Sequence, residues 1–368
     1  MEDTKSINRM WNALEQNQQV PENIDLHYLS GLSLEDQERL ELIWSRLPDP
    51  IRQKLIHELV EIAEADYEMD FAFLFRLALN DPDPEIRATA IEGLWEDEDV
   101  RLVTPLTRHL LTDTDLQVRI AAAQTLARFI LLGELEKIRS RPFEVACQAL
   151  IQAFYRRGEN LEVRRRALES LAYASLSEVP RMIEESYAEG EEPLRISAVF
   201  AMGRSADRRR WGDIVRQELH NSNPNMRYEA ARACGELEIK EAIRELIELV
   251  DDVDPEVQEA AIWALGQIGG DAARRTLEKY ASSDNEILKE AALDALQELE
   301  FYHGESSSLF PSPARPGRPK AKTSFWQADE EESPEDLDED FDLIDEDVNA
   351  DISLDDDDDD DDDEGNDL

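Results

Sequence analysis

Apolar residues in this chain fall at i, i+4 and i+8 with small residues between them, the pattern of a helix that buries a single stripe and lets a neighbour approach closely. The clearest copy runs from Asp254-Pro255-Glu256-Val257-Gln258 through Ala260-Ala261-Ile262-Trp263 to Leu265-Gly266. Anchored on the residue that follows its first apolar one, the pattern recurs at Arg87, Arg119, Arg164, Arg195, Arg227, Gln258 and Lys289, at intervals of 32, 45, 31, 32, 31 and 31 residues. Just before each anchor stands Ile86, Val118, Val163, Leu194, Met226, Val257 or Leu288, and the residue three after it is alanine in every copy. Four residues before it lie Asp83, Asp115, Asn160, Glu191, Asn223, Asp254 and Asn285, mostly side chains that cap the free N–H groups of a helix start. Pro84, Pro224 and Pro255 then occupy the first helical position, where a missing N–H matters least.

A second helix of about ten residues precedes each anchored one, best seen in six copies at 103–111, 143–155, 180–187, 211–219, 239–250 and 272–280. Residues 35–46 and 51–64 form a terminal pair in which Ile51-Arg52 imitates the repeat entry and Leu55 replaces the alanine, as befits an end that lacks a neighbour. The reading is therefore all-α, a solenoid of about eight helix pairs. The 45-residue interval is an insertion that should lengthen both helices flanking residues 133–141 and make them project.

The stretches Asp-Pro-Glu-Ile-Arg (83–87) and Asp-Pro-Glu-Val-Gln (254–258), with the continuation of the second to Leu265-Gly266, resemble the HEAT repeat, and more narrowly the short form found in phycobilisome bilin lyases. The resemblance covers about residues 34–299 and implies that the anchored helices line the concave face. Gln258 and Lys289 depart from the arginine of the pattern, so a continuous arginine ladder is not implied.

Composition divides the chain further. The net charge of −47 comes from 39 basic and 86 acidic residues, and residues 301–368 hold 26 acids against 4 bases, ending in nine aspartates at 355–363. Four segments follow: 1–33 weakly ordered, 34–300 solenoid, 301–324 Ser/Pro-rich linker and 325–368 a disordered acidic tail with too little apolar surface to offset its ordering entropy. In the tail Phe341, Leu343 and Ile344 interleave with acids as a candidate docking motif. Such a charge disfavours nucleic acid and anionic lipid. The start Met1-Glu2-Asp3-Thr4-Lys5 has no basic region followed by an apolar core, and the longest apolar run, 71–79, falls far short of the ~20 residues of a membrane span, so a cytoplasmic location is expected. Cys147 and Cys234 fall at apolar helical positions as buried thiols.

Five scattered histidines show no metal-ligand spacing, and His57-Glu58 is the one His-Glu pair of the kind used for iron by deoxyhypusine hydroxylase, a HEAT-like enzyme. No catalytic residue, metal or cofactor is expected. Arg165, Arg166, Arg208, Arg209 and Arg210 lie in consecutive repeats, either as one basic patch or as surface charges paired with Glu159, Glu162, Glu169 and Asp207. The acidic tail is a candidate intramolecular occupant of such a patch. Trp95 takes a position filled by alanine or glycine in the next five copies, and so is either pushed to the surface or packed at an irregular junction. Phe200 and Trp263 share the position five after the anchor, a candidate ligand-facing site. The functional expectation is a non-enzymatic scaffold for an unidentified protein partner, with the tail tuning solubility or access. The alternatives are a bilin lyase-like enzyme and nucleic-acid association through the arginines.

Overall fold

A computed structural model describes residues 2–16 and 18–303; the tail, with Phe341, Leu343 and Ile344, lies outside the described residues. Helices α1 (Glu2–Glu15) and α2 (Asn23–Leu26) precede eight antiparallel pairs. These are α3 (Leu34–Trp44) with α4 (Asp49–Ala65), α5 (Ala72–Ala78) with α6 (Pro84–Gly93), α7 (Val103–Thr112) with α8 (Leu116–Glu134), and α9 (Ser140–Tyr155) with α10 (Leu161–Leu171). The array continues with α11 (Val179–Ala188) and α12 (Glu192–Arg204), α13 (Arg208–Glu218) and α14 (Pro224–Glu236), α15 (Ile243–Leu249) and α16 (Pro255–Ile268), and α17 (Asp271–Tyr280) and α18 (Glu286–His303). No strand occurs among the described residues.

The anchored helices start where the caps predict. Asp83, Asp115, Asn160, Asn223 and Asp254 each accept a hydrogen bond from a backbone N–H of the first helical turn, and Asn285 accepts one from Ile287. Glu191 makes no such bond, its extra methylene group carrying the carboxylate past the turn. The insertion lengthens both flanking helices, α8 to 19 residues and α9 to 16.

Successive anchored helices touch directly, α6 on α8 and onward to α16 on α18, through the alanines and glycines of the repeat. A Cβ on Gly203 would stand 2.9 Å from Ala233, and one on Gly266 would stand 2.9 Å from Ala295, so at these crossings only a hydrogen fits. In the leading row α7 packs directly on α9, but from α9 to α13 the helices are bridged by long polar side chains: Tyr155 donates to Glu185 at 2.9 Å, and Arg210 donates to Glu184 at 2.8 Å. A row of small contacts is shorter than a row of long ones. That difference favours curvature toward the anchored helices, which makes theirs the inner face.

The anchor residues tie one repeat to the next. Arg52 donates to both oxygens of Asp81, Arg87 to both of Asp113, Arg164 to both of Glu189 and Arg227 to both of Asp252, each acceptor belonging to the following loop. Arg119 reaches Glu159 at 3.1 Å and Arg195 reaches Glu218 at 3.2 Å. The links interlock, because Arg87 also donates to the main-chain carbonyl of Asp81, whose carboxylate Arg52 holds. Gln258 keeps only this second leg, donating to the Asp252 carbonyl at 2.6 Å, while Lys289 turns to Glu286 within its own helix. Burial works against ionised Asp113 and Asp252, yet the guanidinium and N–H donors around them outweigh it and hold both below the usual carboxylate range.

Residues 1–33 were expected to be weakly ordered, and here the structure differs. Met10, Trp11 and Leu14 of α1 are buried with Leu26, Leu29 and Leu40, and Arg39 lies 4.3 Å over the Trp11 ring. Asp25, 1 % exposed, takes both its oxygens to Arg9, and Ser30 and Gly31 hydrogen-bond Asp70. The segment caps the first pair, covering apolar surface that a solenoid end would otherwise expose. Its stripe of three residues is too short to stand out as a period.

Two outcomes are expected. Asp113→Ala strands the Arg87 guanidinium, itself 14 % exposed, and should lower stability by about 3 kcal/mol in urea denaturation, whereas Glu248→Ala, which breaks the exposed Arg244–Glu248 pair, should change it by less than about 0.5 kcal/mol. Cys147 and Cys234 are free and buried, and desolvation pushes the Cys147 thiol up to about 12 and raises that of Cys234 as well. Both should resist Ellman's reagent until the chain unfolds.

Candidate functional site

On the anchored helices the residues five and nine positions after the anchor face away from the leading row and line the concave groove. In the centre these are Glu169, Tyr173, Phe200, Arg204, Arg232, Glu236 and Trp263, none fully buried and none fully exposed. Arg204 lies over two rings, Phe200 at 5.3 Å and Tyr173 at 5.7 Å, while Arg232 stacks on Trp263 at 3.5 Å. Arg204 also pairs with Glu236 at 2.7 Å.

Two hollows open along this face. One, of about 670 Å³ toward the C-terminal end, is lined by Tyr228, Arg232 and Trp263 among the acids Glu256, Glu259, Asp294 and Glu298. The other, of about 510 Å³ nearer the N-terminal end, is lined by Trp95, Ala121, Ala127, Leu131 and Tyr173, with Glu64, Glu92 and Arg128 at its margins. Trp95 is 46 % exposed, so of its two expected placements the structure shows the surface one. The cause lies one turn earlier, where Gly93 packs on the Phe75 ring and α6 ends, leaving the indole outside the helix stack.

Between the hollows sits Glu229, with no hydrogen-bond partner among the described residues. Burial pushes its carboxyl up to about 7, and nearby Glu169 adds to the shift, while Arg232, Arg204 and Arg165 only partly offset it. Glu169 itself accepts from Ser197 at 2.6 Å and from Arg166 at 2.8 Å.

The five singled-out arginines do not form one patch. Arg165 and Arg166 belong to α10 on the inner row, where Arg165 donates to Glu162 and Ser197 and Arg166 donates to Glu169. Arg208, Arg209 and Arg210 open α13 on the outer row, where Arg208 bonds Glu241 at 2.6 Å and Arg210 bonds Glu184. Arg209 makes no ion pair among the described residues. Asp207 caps the α13 start by accepting from the Arg210 N–H. Paired surface charge describes four of the five.

Sequence reasoning did not single out Glu229, Arg232, Tyr228, Glu64, Glu92 or Leu131. Arg232 shares the register of Phe200 and Trp263, and extending that register would have found it; Glu64 sits on the atypical terminal pair and carried no such signal. His57 lies 3.4 Å from Glu85 at the surface, and buried His109 lies 3.1 Å from Asp113, where desolvation lowers its pKa against the pull of that carboxylate. Among the described residues no three His, Cys, Asp or Glu side chains are grouped to hold a metal ion. No described helix is long and apolar enough to cross a membrane.

The model for HEAT repeats matches residues 71–172 and 212–297, which is more than half of the chain. The chain belongs to the HEAT repeat family. Among solved structures, yeast importin-beta is similar over 83 % of this chain and 47 % of its own, at 14 % identity and a TM-score of 0.52, so this chain spans about half the length of that HEAT-type solenoid. Human deoxyhypusine hydroxylase in complex with glycerol matches over 82 % of this chain and 96 % of its own, at 17 % identity and a TM-score of 0.28. A designed armadillo repeat protein in complex with a (KR)4 peptide matches over 61 % and 98 %, at 20 % identity and a TM-score of 0.30. At such identities the likeness shows the fold alone. Comparison with curated proteins gives no match.

Glu229 gives a pH test of the groove. Its folded pKa of about 7 stands above the ordinary 4.5, so the folded state retains a proton that the unfolded chain releases, and stability is lost as pH rises between those values. Glu229→Gln should match the parent near pH 4 and exceed it by on the order of 2 kcal/mol near pH 8 in denaturant titrations.

Proposed function

We propose that this chain is a non-enzymatic adaptor that binds a protein partner along the groove of its anchored helices. The observation that carries the reading is the line of accessible aromatic and guanidinium groups on that one face: Trp95, then Tyr173, Phe200 and Arg204, then Arg232 and Trp263. Aromatic rings and arginines are the side chains that most often dominate binding energy at protein interfaces, because they bury large area at small entropic loss. A curved row of helices offers such groups over many repeats, which suits an extended partner. The solenoid at 34–300, closed by the N-terminal cap, is the binding body in this reading, and the acidic segment 325–368 tunes solubility or partner access.

Cross-linking mass spectrometry of complexes captured on the full chain and on residues 1–303 tests the proposal. Cross-links should concentrate on the anchored helices, and Phe200→Ala or Trp263→Ala should reduce capture about tenfold or more with circular dichroism unchanged, while Arg244→Ala on the outer row has no effect. Cross-links spread over the leading helices, with capture indifferent to both aromatic substitutions, would overturn it.

A further inference from the structure

The N-terminal hollow of the groove holds two features that the general adaptor reading leaves unexplained. Its lining is largely apolar, with Trp95 at 46 % and Leu131 at 38 % exposure beside Ala121 and Ala127, and Gln124 and Thr125 adding polar groups. Exposed aromatic and aliphatic groups gathered in one recess are costly in water unless something covers them. The Glu64 and Glu92 carboxylates, also in its lining, make no hydrogen bond or ion pair among the described residues. Arg128, the one cation of the lining, is turned away to Glu98 at 2.5 Å.

These acids lie in mutual repulsion. Desolvation raises the pKa of Glu92, the proximity of His57 opposes this, and Glu64 raises it further. His57, the other titratable group near Glu92, has its Nε2 3.4 Å from Glu85. A cation placed between Glu64 and Glu92 would relieve the repulsion, and it would enter a hollow that Trp95 also lines. An anionic segment would meet the opposite of this arrangement.

We propose that the Trp95 hollow is the seat of a partner segment of defined chemistry, a lysine or arginine adjacent to a large apolar residue, with the cation held between Glu64 and Glu92 and the apolar side chain on Trp95 and Leu131. The inference rests on the adaptor reading and supplies the partner class that reading lacks. The occupant is a polypeptide because the hollow opens into the groove and continues along it, and its size lies within the range that takes a few side chains.

The full chain, titrated against a fluorescein-labelled Gly-Lys-Leu-Lys-Phe-Gly peptide by anisotropy, provides the test, with Gly-Lys-Ser-Lys-Ser-Gly and Gly-Glu-Leu-Glu-Phe-Gly as comparators. The Lys/Leu/Phe peptide should bind at least about tenfold more tightly than either comparator. Trp95→Ala and the double substitution Glu64→Gln with Glu92→Gln should each remove that preference, leaving the weak, salt-sensitive binding of the Lys/Ser peptide to an acidic chain unchanged. All three positions are exposed, so the fold is retained. Equal binding of the Lys/Leu/Phe and Lys/Ser peptides, no binding of the former, or binding indifferent to the substitutions would overturn the proposal. A concentration-dependent dimer abolished by Trp95→Ala would overturn it too, by giving the hollow to a second copy. If the peptide test fails while Phe200→Ala and Trp263→Ala still reduce partner capture, only this inference falls and the adaptor reading stands.

Discussion

The interlocked arginine–carboxylate pairs between successive repeats are the constraint on which the solenoid depends. A hydrophobic interior shared by stacked helices would tolerate sliding and rotation, because apolar contact is not directional. A bidentate guanidinium does not tolerate it. Arg87 grips Asp113 of the next loop with one edge and the Asp81 carbonyl of its own with the other, so each repeat is set in angle against both neighbours. The same aspartates accept the N–H two residues on, as Asp113 does from Asp115, which makes the acceptor part of the turn it stabilises. Near the C-terminal end of the array the link is absent: Gln258 keeps the intraloop bond and, among the described residues, makes no side-chain bond to the α17–α18 pair, whose helices pack on α16.

That constraint also sets the groove. With repeat angles fixed, the positions five and nine after each anchor fall in register on the inner face, and residues far apart in sequence become a surface. Tyr173, Phe200 and Arg204 come from two repeats and make one stacked cluster; Arg232 and Trp263 come from the next two. Glu229 shows the consequence of crowding charge into such a face, since its carboxyl resists ionisation although three arginines are near. The inner helices are held close by Gly203 and Gly266, whereas α9, α11 and α13 of the outer row are joined by longer tyrosine and arginine bridges, a difference in side-chain length that favours curvature toward the inner row.

Much of this was legible in the chain before its structure. The anchors, caps and alanines gave the helix pairs, and the 45-residue interval gave the lengthened α8 and α9, because each is a local signal repeated many times. What escaped has no repetition to lean on. Met10, Trp11 and Leu14 form a single short stripe whose partner surface is set by tertiary packing. The five arginines looked contiguous because sequence shows which repeats they occupy and not which row, and helix α10 and the start of α13 face opposite ways. Glu64 and Glu92 gained meaning only when the hollow beside Trp95 was in view.

The arithmetic of charge then bears on what the groove can accept. Across residues 1–300 acids exceed bases by 25, so every arginine can be paired and carboxylates still remain over. The ladder takes Arg52, Arg87, Arg119, Arg164, Arg195 and Arg227, and surface pairs take Arg165, Arg166, Arg208 and Arg210. A basic-looking stretch of sequence thus presents little net positive charge, and on the inner face the Glu64 and Glu92 side chains have no partner among the described residues, while Arg232 has the Trp263 ring but no carboxylate. Burying an unpaired carboxylate under another chain is unfavourable unless that chain brings a cation to it, so the internal use of arginine that holds the repeats in register leaves Glu64 and Glu92 in surroundings that disfavour an anion.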